Sequence, residues 1–195
     1  MERKTMTSDQ DATYFNSFRD VVRTVHGSLD VKEVLNAMVT NITVVMNLKA
    51  CAVRLLNPKL RTLELAAAFG LTDGYLRKGP VDADQSIADA MAGKTVVVED
   101  ATADPRAQYR TQAKEEGIAG IVSIPLSIKG RVIGVLRLYS SEPRVFLARE
   151  LDFAEALGEI GALAIENAKM YQQIKHDYEE VVGDIYNFVG YRRSI

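Results

Sequence analysis

Phe153, Leu157, Ile160, Ala164, Asn167, Tyr171, Ile174, Tyr178, Val181 and Ile185 follow one another at alternating spacings of four and three. That is the seam of a two-stranded or bundle-forming coiled coil. A helix over residues 147–185 would be about 58 Å long at 1.5 Å per residue. A globule of roughly 130 residues is nearer 35 Å across. The end of such a helix must project, so its apolar seam needs a partner. The expectation is a parallel homodimer joined through this helix and the first one. Asn167, the one strongly polar member, fixes the register or lies at the seam's edge. The competing expectation is a helix that breaks near Gly183 or earlier and folds back.

Upstream, Phe15, Phe18, Val21, Val22 and Val25 lay an apolar stripe along a helix over residues 14–26, after a tail at 1–13. Asp30 with Glu33 forms a capping-box-like start for a second helix reaching about Asn47. The period then changes to that of strands. "KACAVRLL" and "TLELAAAF" flank the turn "NPKLR" and read as a hairpin. After a loop at 70–84, Ser86 and Asp89 cap a short helix closed by Gly93, and the strand "TVVVED" follows. Asp104 and Pro105 suit the start of another helix, ended by Gly117. "GIVSIPLSI" and "RVIGVLRLY" complete the sheet, with Pro125 requiring an edge or a bulge. The reading is α+β: a central antiparallel sheet of about five to six strands, terminal helices on one face, short helices and loops on the other.

Composition closes several function classes. The formal net charge of -2 carries no long basic block, which argues against nucleic-acid binding. No run of about 18 apolar residues suggests a membrane span, and "MERKTMTSDQDATYF" has no apolar stretch behind its charged start. The expected setting is cytoplasmic. A single cysteine, Cys51, permits no intrachain disulfide and no two-cysteine redox cycle. His26 and His176 both read as solvent-facing, and no metal ligand set emerges.

"ACAVRLLNP", "LELAAAFGL", "SIADAMAGKTVVVEDATADPR", "SIPLSIKGRVIGVLRLYS" and "ALAIENAKMYQQI" resemble, in order, the successive segments of the GAF family of small-molecule sensory domains. The resemblance covers roughly residues 15–175; residues 14–175 form the domain and 176–195 the projecting helix end and tail. It implies a ligand cavity beneath the short helices. It also marks departures. The Asn-Lys, Phe and Asp-Glu signature of cyclic-nucleotide binders has no counterpart in this chain. Bilin-attaching members use a loop cysteine, whereas Cys51 lies inside a strand. Free methionine sulfoxide reductases of this fold use several cysteines.

Arg137 stands where strand alternation calls for a buried side chain, together with Ile133, Val135 and Tyr139. Its hairpin partner is Val122 if the Lys129-Gly130 loop has two residues, and Ser123 if the loop has three. Arg54 shares a face with Ala52. Both arginines either face the cavity, where their donor forks suit a carboxylate or phosphate, or pair internally, Arg54 with Glu64 across the first hairpin and Arg137 with another acidic residue. Ser86 at a helix opening and Tyr109 after "DPR" join them as candidate ligand contacts. The combined reading is a non-enzymatic sensory domain that binds an unidentified small molecule and signals through paired helices to a separate output protein. Its alternative is a dimerisation module whose cavity is filled by its own side chains. The residues name no cofactor.

Overall fold

The computed structural model describes residues 2–28, 30–79, 81–82, 87–104 and 108–192, and of these the side chains over 9–183 apart from residue 82. Two helices open the chain, α1 (Glu2–Gly27) and α2 (Val31–Val45). The hairpin β1 (Ala50–Asn57) and β2 (Thr62–Phe69) comes next, then α3 (Asp73–Leu76), β3 (Val81–Asp82), α4 (Ala88–Met91) and β4 (Val96–Val98). The remaining elements are α5 (Arg110–Glu116), β5 (Gly120–Ile128), β6 (Arg131–Ser140) and α6 (Ala148–Arg192). The six strands form one antiparallel sheet in the order β3-β2-β1-β6-β5-β4. This is the α+β architecture expected from the sequence.

Strand alternation divides the core between the two faces. Cys51, Val53, Val122, Ile124, Leu136 and Leu138 pack with Met38 and Ile42 of α2 and Phe153 and Leu157 of α6. The opposite face carries Ala50, Ala52, Ile121 and Tyr139, covered by Tyr75 of α3 and Ala113 of α5. Pro125 fits because β4 pairs only with residues 121–123 of β5, so the strand is locally an edge where the proline sits.

Several local expectations are corrected. Helix α1 reaches back to Glu2 through the segment expected as a tail, which lacks an apolar stripe but contains no helix breaker. Its buried line is Tyr14, Ser17 and Val21, whereas Phe15 is exposed, because the Tyr14 ring stacks on Phe153 with centroids 4.6 Å apart. Asp30 caps α2 by accepting from the Lys32 amide, but Glu33 accepts from the Ser28 hydroxyl rather than closing the box. Helix α5 begins at Arg110 with Tyr109 as its N-cap, so Asp104 does not start it; Pro105 lies outside the described residues. Ile87 stands at the N-cap of α4, and Ser86 too lies outside the described residues.

The long helix runs through Gly183 to Arg192, about 67 Å for its 45 residues, so it neither breaks nor folds back there. Its opening turn is held by Glu150, which accepts from the Leu147 amide at 2.8 Å and pairs with Arg144. Arg144 in turn donates to the Met46 carbonyl, tying α6 to the end of α2. The expected seam divides in two. Phe153 and Leu157 are buried in the chain's own core, each contributing about 1.5–3 kcal/mol, and Ile160 packs half-buried against it. These three are therefore intramolecular contacts, a correction that follows from the sheet occupying the near half of the helix. Tyr171, Ile174, Tyr178 and Val181 are each more than half exposed, and Asn167 is exposed beside them. No helix among the described residues is long and apolar enough to cross a membrane.

Candidate functional site

The register of two hairpins decides where the arginines go. Lys129 and Gly130 form a two-residue turn with φ of 50° and 76°, the paired positive values of a tight hairpin turn that glycine adopts without strain. Ile128 faces Arg131 and Ser127 faces Val132, after which a bulge shifts the ladder so that Leu126 faces Gly134 and Ser123 faces Arg137. The Ser123 pairing thus arises from a two-residue turn plus a bulge, a combination neither loop length alone anticipates. The same bulge sends Ile133 to the long-helix face, away from Arg137.

In the first hairpin a second irregularity, between Val53 and Arg54, places Arg54 opposite Leu65 and Leu55 opposite Glu64. Residues directly opposite share a face, so Glu64 lies on the other side of the sheet from Arg54. It accepts from the Asn57 amide instead. The expected Arg54–Glu64 pair does not form.

Arg54 and Arg137 therefore both lie on the short-helix face, only 3% and 6% exposed. Arg54 donates through Nη1 to the Leu63 carbonyl at 3.2 Å, while its Nε and Nη2 have no acceptor among the described residues. Arg137 Nε also lacks one, and the group stands 5.6 Å over the Tyr139 ring. Among the described residues neither forms an ion pair. Burying a charge is costly unless it is paired, and burying two side by side more so.

A third cation, missed in the sequence, completes the group. Lys78 follows α3 and turns its Nζ onto the face of Tyr75, 3.2 Å from the ring centroid and 5.6 Å from that of Tyr109. That amine is buried without an acceptor among the described residues. Burial, then the charges of Arg54 and Arg137, pull Lys78 down to about 7, against a smaller opposing pull from Glu116. Gly79 makes the approach possible: its φ is 115°, and a Cβ there would come within 3.0 Å of the Tyr109 hydroxyl. The loop "YLRKGP" has no periodicity from which this placement could be read.

Around the cations stand Tyr75, Tyr109 and Tyr139, the first and last edge to face at 6.1 Å. The Tyr139 hydroxyl is buried and has no partner among the described residues. The Tyr75 hydroxyl is pushed up by burial, so it stays a donor at neutral pH. Glu116 closes the rim: it accepts from the Thr72 amide at 2.9 Å and the Thr72 hydroxyl, with Lys49 Nζ at 3.8 Å. Burial raises its pKa, but the Thr72 hydrogen bonds and the nearby lysines outweigh that and hold it below the usual value. The free space bounded by Tyr75, Lys78, Tyr109, Ile121 and Arg137 is about 10 Å³, room for roughly one water. Ser123, opposite Arg137, is buried on the same face. Of the sequence candidates, Arg54, Arg137, Tyr109 and Ser123 are thus brought to one place. Cys51 is fully buried on the other face, its thiol pushed up by burial, while His26 and His176 are exposed. Among the described residues no cluster of three His, Cys, Asp or Glu side chains is placed to hold a metal.

The GAF domain family model matches residues 28–166, from the start of α2 to well inside α6. The chain belongs to the GAF domain family. GAF domains are generally sensory and bind small molecules. No curated protein matches the sequence. Among solved structures, the GAF domain of a phosphoenolpyruvate-protein phosphotransferase from Coxiella burnetii superposes with a TM-score of 0.74 at 19% identity, covering 83% of this chain and 98% of that one. A domain of a putative two-component sensor histidine kinase protein from Sinorhizobium meliloti gives 0.64 at 21%, covering 75% and 97%. The free methionine-R-sulfoxide reductase from Neisseria meningitidis, in complex with its substrate, gives 0.70 at 21%, covering 81% and 91%. At these identities the likeness establishes the GAF fold.

Proposed function

We propose that this GAF domain is a sensory module for a small anionic molecule, a carboxylate or phosphate, received by Arg54, Lys78 and Arg137 beneath α3 and α5. The observation that carries the reading is the set of buried guanidinium nitrogens with no acceptor among the described residues. An anion would satisfy them with charge-assisted hydrogen bonds, worth about twice neutral ones. Tyr109 and Gly79 form the cover that must shift to admit anything larger than a water. A ligand that prefers the shifted cover biases the sheet, and through β5 the base of α6. The exposed stripe of Tyr171, Ile174, Tyr178 and Val181 is the surface through which two copies pair as a cytoplasmic homodimer and pass the change to a separate output protein.

The small free volume favours a second reading, a dimerisation module whose cavity is filled by Tyr75, Lys78 and Tyr109. Thermal unfolding against a panel of small carboxylates and phosphate esters separates the two. The sensory reading expects at least one anion class to raise the Tm; a panel with no effect supports the self-filled module.

A further inference from the structure

Lys78 differs from the other lysines whose side chains are described. Lys49 pairs with Glu116 and Lys175 with Glu179, while Lys59 and Lys129 are exposed. Only the Lys78 amine, among the described residues, is both buried and without an acceptor. The Arg137 guanidinium borders the same space, which holds about one water, and the charge of Arg54 reaches the amine as well. With its pKa near 7, a large share of the amine is the free base at neutral pH, the nucleophilic form.

We propose that Lys78 is a site of reversible carbamate formation with carbon dioxide, the product being held by Arg54 and Arg137. The Nζ lone pair forms a bond to the carbon of CO2, one C–O π pair moves onto oxygen, and the nitrogen releases one proton to solvent. The sum is amine plus CO2 giving carbamate anion plus a proton, with no oxidant or reductant. The reaction replaces a position that is cationic when protonated with an anionic one, and supplies acceptors to the Nε atoms of both arginines, which have none among the described residues. The group added has three heavy atoms, more than the free space holds, so the Tyr109 cover shifts for it, though less than for a phosphate ester. Among the described residues, the charged and titratable groups facing it are Arg54, Arg137, Tyr75, Tyr109, Tyr139 and, at the rim, Glu116 with Lys49. The inference does not rest on anion sensing, but the two compete for the same donors.

The test equilibrates the full chain with carbon-13 bicarbonate, traps carbamates as esters with a trialkyloxonium salt, and locates the added mass by peptide mass spectrometry. The expected result is a label on Lys78, absent in Lys78→Arg and well above that on exposed Lys59 and Lys129. Arg137→Gln should lower the labelled fraction on the order of tenfold at subsaturating CO2, the effect of losing a charge-assisted hydrogen bond. No label on Lys78 of the folded protein, or a label equal to that on the surface lysines, would overturn the proposal. Lys78→Arg keeps the cation, so anion-dependent stabilisation that survives in that variant separates the two readings.

Discussion

Lys78→Met removes the amine but keeps most of the stem, and the structure specifies both the sign and the pH course of the result. In the folded chain Lys78 titrates near 7, pulled down first by burial and then by Arg54 and Arg137, against 10.5 ordinarily. Between those values the unfolded chain binds the extra proton, so stability rises with pH across the window from about 7 to 10.5. The penalty is fully present below pH 7 and gone above the unfolded value. At 1.36 kcal/mol per pH unit the full interval is ~5 kcal/mol as an upper bound. Solvent reaches part of this side chain, which reduces the expectation to about 2 kcal/mol. Lys78→Met should therefore be more stable than the parent by about 2 kcal/mol in mildly acidic buffer, with the gap closing toward zero by about pH 10. Urea unfolding of both proteins at several pH values measures it, and a change in packing would only offset the whole curve. A gap independent of pH would refute the assignment of Lys78 to a buried cationic cluster.

Other consequences are as specific. Arg137→Met removes a buried charge that has no ion-pair partner among the described residues, so it should leave the protein equally or more stable, by up to about 2 kcal/mol, and raise the pKa of Lys78; urea unfolding with a pH series measures both, and a loss of 3–5 kcal/mol would instead reveal a broken internal pair. Gly134→Ala should cost on the order of 3 kcal/mol or more in the same assay, because the added Cβ would lie 2.4 Å from the Arg54 carbonyl and force β1 and β6 apart. Ile174→Glu with Tyr178→Glu should yield a monomer by light scattering where the parent is a dimer, with the thermal unfolding of the globular part unchanged; a parent that is already monomeric would end the helix-pairing proposal.

Much of the architecture was legible because burial imposes period. The hairpins, α2 and the long helix each carry an apolar repeat over many residues, and the structure places them where that repeat demands. Strand β3 and the true start of α5 were not legible: a two-residue strand has no period, and the helix begins where Tyr109, a weak capping residue, happens to pack over Lys78. Arg54 and Arg137 stood out because a charge interrupts an apolar strand. Their shared face was not readable, since it depends on two bulges that single-strand alternation cannot locate. Lys78 gave no signal at all, its position being set by the tertiary closure of a short loop. The seam of α6 was a single pattern in the sequence and two surfaces in the fold, because core packing and helix pairing ask for the same residue types at the same spacing.

Native mass spectrometry of the full chain, titrated with small carboxylates and phosphate esters, tests the anion-binding cluster most directly. The account predicts a saturable adduct of one anion per chain that is lost in Arg137→Met. No adduct from any anion, or one that survives unchanged in that variant, would contradict it.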